Sequence, residues 1–196
     1  MIQYCERGNS LNQKPTNSGW IEVICGGMFS GKTEELLRRI RRAKIAKLST
    51  IIFKPHIDTR YSKNKVVSHN NNSMDSVIVK KTTDILDLGK KYDVLGIDEA
   101  QFFDSGLTDV CKKLAKNNTR VIVAGLDNDY RGLPFGPMPN IMCESDYLDK
   151  LSAICIKCGN PASCTQRITK QIEQVVIGET DIYEARCRNC FEPPKE

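Results

Sequence analysis

The stretch Ile21–Glu35, which reads IEVICGGMFSGKTEE, decides the fold of this chain. It opens with a largely apolar, β-branched run that is typical of a buried strand, and a pair of glycines then breaks the run. Residues Gly26–Thr33 match the pattern G-x-x-x-x-G-K-[ST] between this strand and a helical pattern, which is the setting of a nucleotide phosphate loop. Glycines leave room for a polyphosphate, and the loop N–H groups and the helix N-terminus attract it. We therefore expect Lys32 to reach the β- and γ-phosphates and Thr33 to ligate Mg²⁺.

A second signal of the same kind lies at the end of a predicted strand, Val94–Ile97, where Asp98 and Glu99 follow directly. In phosphate-loop enzymes an aspartate at this place orients the Mg²⁺ shell. A glutamate beside it can accept the proton of an attacking hydroxyl. An acidic pair after a strand is weak evidence alone, and the glycine loop upstream makes the functional interpretation the better one. The two signals together predict a nucleotide site with Mg²⁺ and a general base.

Strand and helix patterns alternate up to about residue 150, which predicts an α/β fold with a parallel sheet and flanking helices. A glycine- and proline-rich stretch, Asp127–Met142, is predicted to be a long, lid-like loop. The predicted strands are Ile21–Cys25, Thr50–Lys54, Ser76–Val79, Val94–Ile97 and Arg120–Leu126, and the predicted helices are Thr33–Leu48, Thr82–Lys91, Asp104–Lys116 and Asp146–Lys150.

Nine cysteines are present, and four of them form two C-x-x-C pairs near the end of the chain. Two such pairs on short turns offer four thiolates in tetrahedral geometry, which suits a structural zinc ion. The alternatives are two redox dithiols or plain buried thiols. The pairs lie further apart than the usual ~15–20 residues, so a hairpin or loop must fill the gap, and it could be held over the main domain as a lid. The expected zinc ligands are Cys155, Cys158, Cys187 and Cys190.

The overall composition limits the classes of partner. The chain has 196 residues and a net charge of +5, which suits a phosphate-bearing ligand but is too weak to argue for nucleic acid. No apolar run approaches the ~18 residues of a membrane span, so no membrane partner is expected. Residues 1–18 lack the apolar core of a secretory signal, so we expect a flexible leader and a reducing, cytoplasmic location.

Seven motifs in order then identify a family that the chain resembles. They are GGMFSGKTEEL, DTRYS, IDEAQFF, GLDNDYRGLPFG, CIKCG with a later TQR, VVIG with a later tyrosine, and CRNC. They resemble the type II thymidine kinases, the zinc-containing family of animals, bacteria and some viruses, from about Gly19 to Cys190. The resemblance implies a RecA-like P-loop domain at 19–150 and a small zinc-binding domain at 151–196 that carries a lasso loop. It implies transfer of the ATP γ-phosphoryl group to the 5′-hydroxyl of thymidine, with deoxyuridine as a second substrate, dTTP as a feedback inhibitor and a homotetramer.

The resemblance also assigns residue roles. Glu99 resembles the base that takes the proton of the 5′-hydroxyl, and Asp98 resembles the acid that, with Thr33, orients Mg²⁺. With these two, Lys32 completes the expected catalytic set. The residues expected around ATP are Gly26, Gly27, Met28, Phe29, Ser30, Gly31, Lys32, Thr33, Asp58, Thr59, Arg60, Asp98 and Gln101. Those expected around thymidine are Met28, Leu126, Tyr130 (stacked on the base), Thr165, the backbone of Gln174, Val175, Val176, Ile177 and Gly178, and Tyr183.

Two other functions fit parts of the sequence. A recombinase-type ATPase would combine the phosphate loop with a zinc ribbon and the basic run Arg38–Lys44 to bind DNA. Against it, the net charge is mild and no single-strand channel rich in arginine and aromatic residues is visible. A zinc-based protein-binding module would explain the cysteines, but it leaves Glu99 and Tyr130 without a role.

Overall fold

The computed structural model describes residues 18–57, 65–67, 73–176 and 180–194. Its strands and helices alternate up to residue 151, and short strands follow. The strands are β1 Trp20–Gly26, β2 Thr50–Pro55, β3 Lys65–Val67, β4 Ser73–Asp75, β5 Val77–Val79, β6 Val94–Ile97, β7 Arg120–Gly125, β8 Tyr147–Leu151, β9 Ala153–Ile154, β10 Pro161–Ala162, β11 Cys164–Arg167 and β12 Tyr183–Arg186. The helices are α1 Lys32–Ile45, α2 Thr82–Gly89, α3 Leu107–Lys116 and α4 Met138–Cys143, with a 3₁₀ turn at Ala100–Phe102.

A six-stranded parallel sheet in the order β5-β2-β6-β7-β1-β8 forms the centre of the fold. The phosphate-loop strand β1 lies between β7 and β8, and β7 separates it from β6, the strand that delivers the acidic pair. All the carboxyl ends therefore point to one edge of the sheet, where ligands gather in open α/β folds. The predicted α/β class, with a parallel sheet and flanking helices, is confirmed.

Helices cover both faces of this sheet, because its strands are apolar on both sides. Helix α1 packs Leu37 and Ile40 against Ile24, Ile52 and Ile122, all of which are buried. The neighbouring strand residues point to the opposite face, since side chains alternate along a strand. There they meet α2, α3 and α4, in a cluster that includes Val23, Phe53, Ile85, Leu107, Leu114, Val121 and Met138.

A buried carboxylate interrupts the apolar pattern of β1. Glu22 is 0% exposed and accepts hydrogen bonds from Arg39 of α1 at 2.7 Å, from Arg120 of β7 at 2.5 Å and from the Trp20 indole at 2.7 Å. Burial opposes its ionisation, but the bonds and charges of Arg120 and Arg39 outweigh burial and lower the pKa of Glu22. Arg39 also contacts Asp149 of β8 at 2.5 Å, so this network ties three strands to α1.

Replacing Glu22 with glutamine is expected to lower the free energy of unfolding by about 3 kcal/mol, because two buried guanidinium groups lose their shared charge partner. The pKa of Glu22 lies below its usual value of 4.5, so its contribution is complete above that pH and is lost as the pH falls through the folded-state pKa. Urea unfolding of both proteins at neutral and acidic pH tests this. A difference that stayed constant as the pH fell would contradict the ionic explanation.

The C-terminal part consists of two small antiparallel pairs, β9 with β10 and β11 with β12. Its core is built from small side chains, Ala153, Ala162 and Ala185, beside two of the cysteines. So little apolar area stabilises a fold weakly, which makes a cross-link such as a metal site structurally important here. Among the helices of the described residues, none combines the length and apolar character that crossing a membrane requires.

Two sequence predictions for residues 127–150 were wrong. The predicted helix Asp146–Lys150 is instead strand β8, which pairs with β1 at the edge of the sheet. Its sequence, YLDKL, is too short for periodicity to separate helix from strand, and an edge position leaves Tyr147 and Leu148 exposed. The predicted loop Asp127–Met142 ends in helix α4. The antiparallel pair β3–β4 was not predicted.

Candidate functional site

The phosphate loop joins β1 to α1 at the carboxyl edge of the sheet. Gly26 has φ of 139° and Gly31 has φ of 85°, conformations that glycine adopts without strain. A side chain on Gly26 would also place its Cβ 2.2 Å from the carbonyl oxygen of Leu151. The loop thus follows a path that requires these glycines, and it ends where the N-terminus of α1 begins at Lys32.

Inside the loop, two side chains bond to one carbonyl group. Lys32 Nζ donates to the Gly27 carbonyl at 2.6 Å, and Ser30 Oγ donates to the same oxygen at 2.8 Å. The ammonium group of Lys32 therefore lies inside the curve of the loop, next to the Gly27 carbonyl. This is the place where the sequence predicted a contact to phosphate.

The two residues expected to orient Mg²⁺ lie together, although they are far apart in the chain. Thr33 Oγ1 lies 3.2 Å from each carboxylate oxygen of Asp98. Asp98 is buried at the end of β6, and its backbone N–H donates to the Phe53 carbonyl of β2 at 2.9 Å. A hydroxyl and a carboxylate at this separation are oxygen ligands of the kind that Mg²⁺ prefers, so these residues fit the ion.

Glu99 has an unusual backbone, with φ of 52° in the left-handed region. For a residue other than glycine this conformation costs about 1–2 kcal/mol and often marks a functional site. Its carboxylate accepts a hydrogen bond from Gln101 Nε2 at 2.6 Å. Gln101 is itself buried, and its Oε1 accepts the backbone N–H of Leu126, after β7, at 2.9 Å. Gln101 therefore holds Glu99 in place and joins the ends of β6 and β7.

The expected base-binding residues come from both parts of the chain. Tyr130, buried after β7, donates its hydroxyl to the Ile172 carbonyl at 2.8 Å. Beside it, the Gln174 side-chain amide donates to Asp129 at 3.0 Å. Across the hairpin, the Tyr183 hydroxyl donates to the Val176 carbonyl at 2.8 Å. The segment 171–176 is thus fastened to Asp129 and Tyr130, which follow β7, on one side and to β12 on the other.

Strand β11 also supports the phosphate loop. Thr165 Oγ1 accepts the backbone N–H of Met28 at 3.0 Å. A Cβ on Gly27 would lie 3.3 Å from the Ser163 carbonyl oxygen, so the loop and the strand pack closely. The sequence placed Thr165 in the pocket of the base, and nothing in its pattern indicated this bond to the loop. Strand β11 therefore joins the phosphate loop to the C-terminal part of the chain.

Some expected residues lie outside the described part of the chain, and some observed ones were missed. Asp58, Thr59 and Arg60, together with Ile177 and Gly178, belong to the first group. Within the described residues, sequence reasoning overlooked the following buried polar or charged side chains near the site: Asp127, Asp129 and Arg167. Asp127 pairs with Lys150 at 2.6 Å. The motifs GLDNDYRGLPFG and TQR contain these three residues, but neither motif gave them a role.

The four cysteines of the C-x-x-C pairs converge, as the sequence predicted. Their sulfur atoms all lie within 4.8 Å of one another, and those of Cys158 and Cys187 are 3.5 Å apart. Tetrahedral zinc with Zn–S bonds of about 2.3 Å separates its sulfurs by roughly 3.8 Å, so the cluster fits this ion.

The acidity of these thiols supports the same interpretation. Burial opposes the thiolate of Cys155, yet hydrogen bonds from nearby backbone groups outweigh it and lower the pKa to about 6. In contrast, hydrogen bonding with the sulfurs of Cys187 and Cys158 raises the pKa of Cys190 to about 12. The proton of Cys190 is therefore hard to remove, because its removal breaks these hydrogen bonds and adds negative charge beside Cys155. A bound cation removes that penalty, which is the chemistry of a metal site.

The sequence of the chain is similar to those of known proteins over most of its length. A sequence model described as "Thymidine kinase" matches residues 19–191. A thymidine kinase of Rhodothermus sp. (strain ITI 518) is 56% identical over 90% of this chain and 83% of that protein. One of Bacteroides fragilis (strain ATCC 25285) is 55% identical over 92% of this chain and 90% of that protein. Among solved structures, the genome packaging NTPase B204 of Sulfolobus turreted icosahedral virus 2 matches with a TM-score of 0.46 and 20% identity, over 67% of this chain and 74% of that one. The family model and the close relatives show that the chain belongs to the thymidine kinase family.

Proposed function

We propose that this protein transfers the γ-phosphoryl group of ATP to the 5′-hydroxyl of thymidine, with deoxyuridine as a second substrate. The observation that carries the proposal is the meeting of three features at one sheet edge. They are the glycine loop, the Thr33–Asp98 pair, and the Glu99 carboxylate held by Gln101. A phosphate loop and a metal-orienting aspartate are general to nucleotide hydrolysis and transfer, whereas a positioned carboxylate suits transfer to an alcohol.

The ATP phosphates would lie in the loop formed by Gly26–Thr33. Its N–H groups and the N-terminus of α1 would bind the β- and γ-phosphates. Lys32, which bonds to the Gly27 carbonyl here, would donate to a phosphate oxygen instead. Thr33 and Asp98 would hold Mg²⁺, which when bound neutralises charge on the phosphate oxygens. Asp58, Thr59 and Arg60 would complete the contacts to phosphate.

Glu99 would act as the general base. A sugar hydroxyl is a weak nucleophile, so a carboxylate within hydrogen-bond reach must accept its proton as the phosphoryl group moves. The bond from Gln101 fixes the plane of that carboxylate. The strained backbone at Glu99 keeps it at the start of the 3₁₀ turn, close to Asp98. These features hold the base in one orientation, which reduces the entropic cost of the reaction.

Thymidine would bind between the main domain and segment 171–176. Tyr130 offers an aromatic ring for stacking on the base, and Met28, Leu126 and Thr165 lie at the same edge of the fold. Backbone groups of Gln174 and Val175 through Gly178 would read the base edge, and Tyr183 would fix the end of the segment through Val176. Because main-chain groups rather than side chains would recognise the base, recognition depends on the backbone conformation of this segment.

We propose that zinc at the four cysteines maintains that shape. Removing it with a chelator, or by Cys187→Ser, is expected to lower the thermal midpoint and raise the thymidine KM about tenfold, since the segment loses its anchored ends. Zinc rebinding at neutral pH should release protons, because the pKa of Cys190 lies near 12 without metal. Calorimetry in two buffers measures that release.

Cys143→Ser is the matched control for the zinc experiment, because Cys143 is exposed and lies outside the cluster. It should keep its zinc content, thermal midpoint and thymidine KM. If verified removal of zinc left both the midpoint and the KM unchanged, the structural role of the ion would be refuted.

The same arrangement suggests how the enzyme is organised and regulated. dTTP carries both the nucleoside and a triphosphate, so it could occupy the thymidine and phosphate regions together and inhibit as the end product.

We further propose a nucleotide-binding domain at 19–150 and a zinc-binding domain at 151–196, a homotetramer, and a cytoplasmic location, where thiols stay reduced for zinc. Light scattering with and without dTTP tests the assembly.

The direct test of the function is phosphorylation of radiolabelled thymidine by the purified protein with ATP and Mg²⁺, beside an ATPase assay with and without DNA. We expect labelled dTMP and no stimulation by DNA. ATP hydrolysis that DNA stimulates, without dTMP, would instead support the recombinase-type alternative.

A further inference from the structure

Arg167 is a buried side chain that contacts both the backbone of segment 171–176 and two aromatic rings. It is the last residue of β11 and pairs with Tyr183, the first residue of β12. The two residues therefore form the neck of the hairpin from which segment 171–176 extends. Arg167 is only 7% exposed, which is rare for arginine; its Nη1 and Nη2 atoms have hydrogen-bond partners, whereas its buried Nε has none in the described part of the chain.

The guanidinium group bonds to the backbone of this segment. Nη1 donates to the carbonyls of Gln171 at 3.1 Å and Glu173 at 2.5 Å, and Nη2 donates to that of Gln174 at 3.1 Å. Nη2 also donates to the Tyr183 hydroxyl at 2.7 Å, and that hydroxyl in turn donates to the Val176 carbonyl. The guanidinium group of Arg167 thus directs three carbonyl groups of the segment toward itself.

The same group also contacts the aromatic rings of the site. Its Cζ lies 3.5 Å from the centroid of the Tyr130 ring and 5.2 Å from that of Tyr183. A guanidinium plane over an aromatic face is attracted by the ring's quadrupole and fixes its orientation. Because the Tyr130 hydroxyl also bonds to Ile172, the ring, the guanidinium and the segment form one connected unit.

We propose that Arg167 is a positioning residue for the nucleoside: it sets the shape of segment 171–176 and the orientation of Tyr130. The inference rests on the proposed thymidine site. A planar group with a fixed fork of donors is required, because it must serve three carbonyls and a ring face together. Thr165, two residues earlier on the same buried face of β11, contacts the phosphate loop instead. Replacing Arg167 should therefore weaken nucleoside binding and leave ATP binding unchanged.

The test is Arg167→Lys, which keeps the charge but loses the fork and the planar stacking. We expect the thymidine KM to rise about 10- to 100-fold, with kcat reduced less than about threefold and the ATP KM within about twofold. Amide hydrogen exchange in 168–176 should quicken in the variant, and calorimetry should show the same loss of thymidine affinity without ATP. Arg167→Met should give a larger effect of the same kind.

Arg186→Lys is the matched control, because it makes the same change in the partner strand, where Arg186 bonds to Glu184 and to the Cys190 carbonyl. It should leave the thymidine KM within about twofold of the wild type. A thymidine KM unchanged in Arg167→Lys would overturn the inference, as would equal rises in the KM of both substrates. A wild-type protein that does not phosphorylate thymidine would instead refute the proposed function, and hydrogen exchange would still report whether Arg167 orders the segment.

Discussion

Glu99→Gln is expected to lower kcat at least about 10³-fold while ATP and thymidine bind within about threefold of the wild type. The amide has the size of the carboxylate and can still bond to Gln101, so the shape of the site is retained. It cannot accept a proton from the 5′-hydroxyl, which leaves the nucleophile protonated as the phosphoryl group departs. Rapid-quench kinetics with saturating substrates measures the chemical step, and calorimetry measures the two affinities.

Glu144→Gln is the control, since Glu144 is an exposed carboxylate that pairs with Lys112 away from the site. It should retain full activity. A kcat of Glu99→Gln close to that of the wild type would refute the role of Glu99 as base. If the affinity for thymidine fell by the same factor as kcat, the carboxylate would serve to bind thymidine and would not act as the base.

The backbone at Glu99 makes glutamine a better probe than a smaller residue. A left-handed residue carries a conformational cost of about 1–2 kcal/mol, which the surrounding structure must offset. Glutamine carries the same cost as glutamate, so this term cancels in the comparison. A glycine variant would relieve the strain and change stability and chemistry together.

The parts of the site that the sequence predicted are local in the chain. The glycine loop and the pair Asp98–Glu99 each follow a strand directly, and a buried strand is visible from its apolar run. Once both strands belong to one parallel sheet, their carboxyl ends must meet, which is why Thr33 and Asp98 were expected together. The two C-x-x-C pairs were equally clear, because metal-ligand spacing is set within each short turn.

The parts that were missed depend on contacts between distant residues. Thr165 and Met28 are 137 residues apart, and no periodic pattern encodes their bond. Arg167 lies in the motif TQR, but the motif does not indicate a role for it, and only the structure shows it buried against carbonyl groups. Strand β8 was mistaken for a helix because an edge strand needs only its partner β1, not an apolar pattern of its own.

Lys32→Ala is expected to lower kcat/KM about 10³- to 10⁴-fold, which corresponds to about 4 to 6 kcal/mol of lost transition-state stabilisation. Charge spreads over the transferring phosphoryl oxygens in the transition state, and a fixed ammonium stabilises it more than it stabilises bound ATP. The loss should therefore fall mainly on kcat. Steady-state kinetics with ATP and thymidine varied in turn separates kcat from the two KM values.

Lys44→Ala provides the comparison, because Lys44 lies in the last turn of the same helix and is exposed. Its removal should change kcat/KM by less than about twofold, since exposed charges this far from the loop are screened by salt. Lys32→Arg should remain well below the wild type, because a planar fork does not fit where a point charge lies 2.6 Å from the Gly27 carbonyl. If Lys32→Ala raised only the ATP KM and left kcat intact, the lysine would serve ground-state binding alone, and stabilisation of the transferring group would have to come from the loop amides and the metal ion.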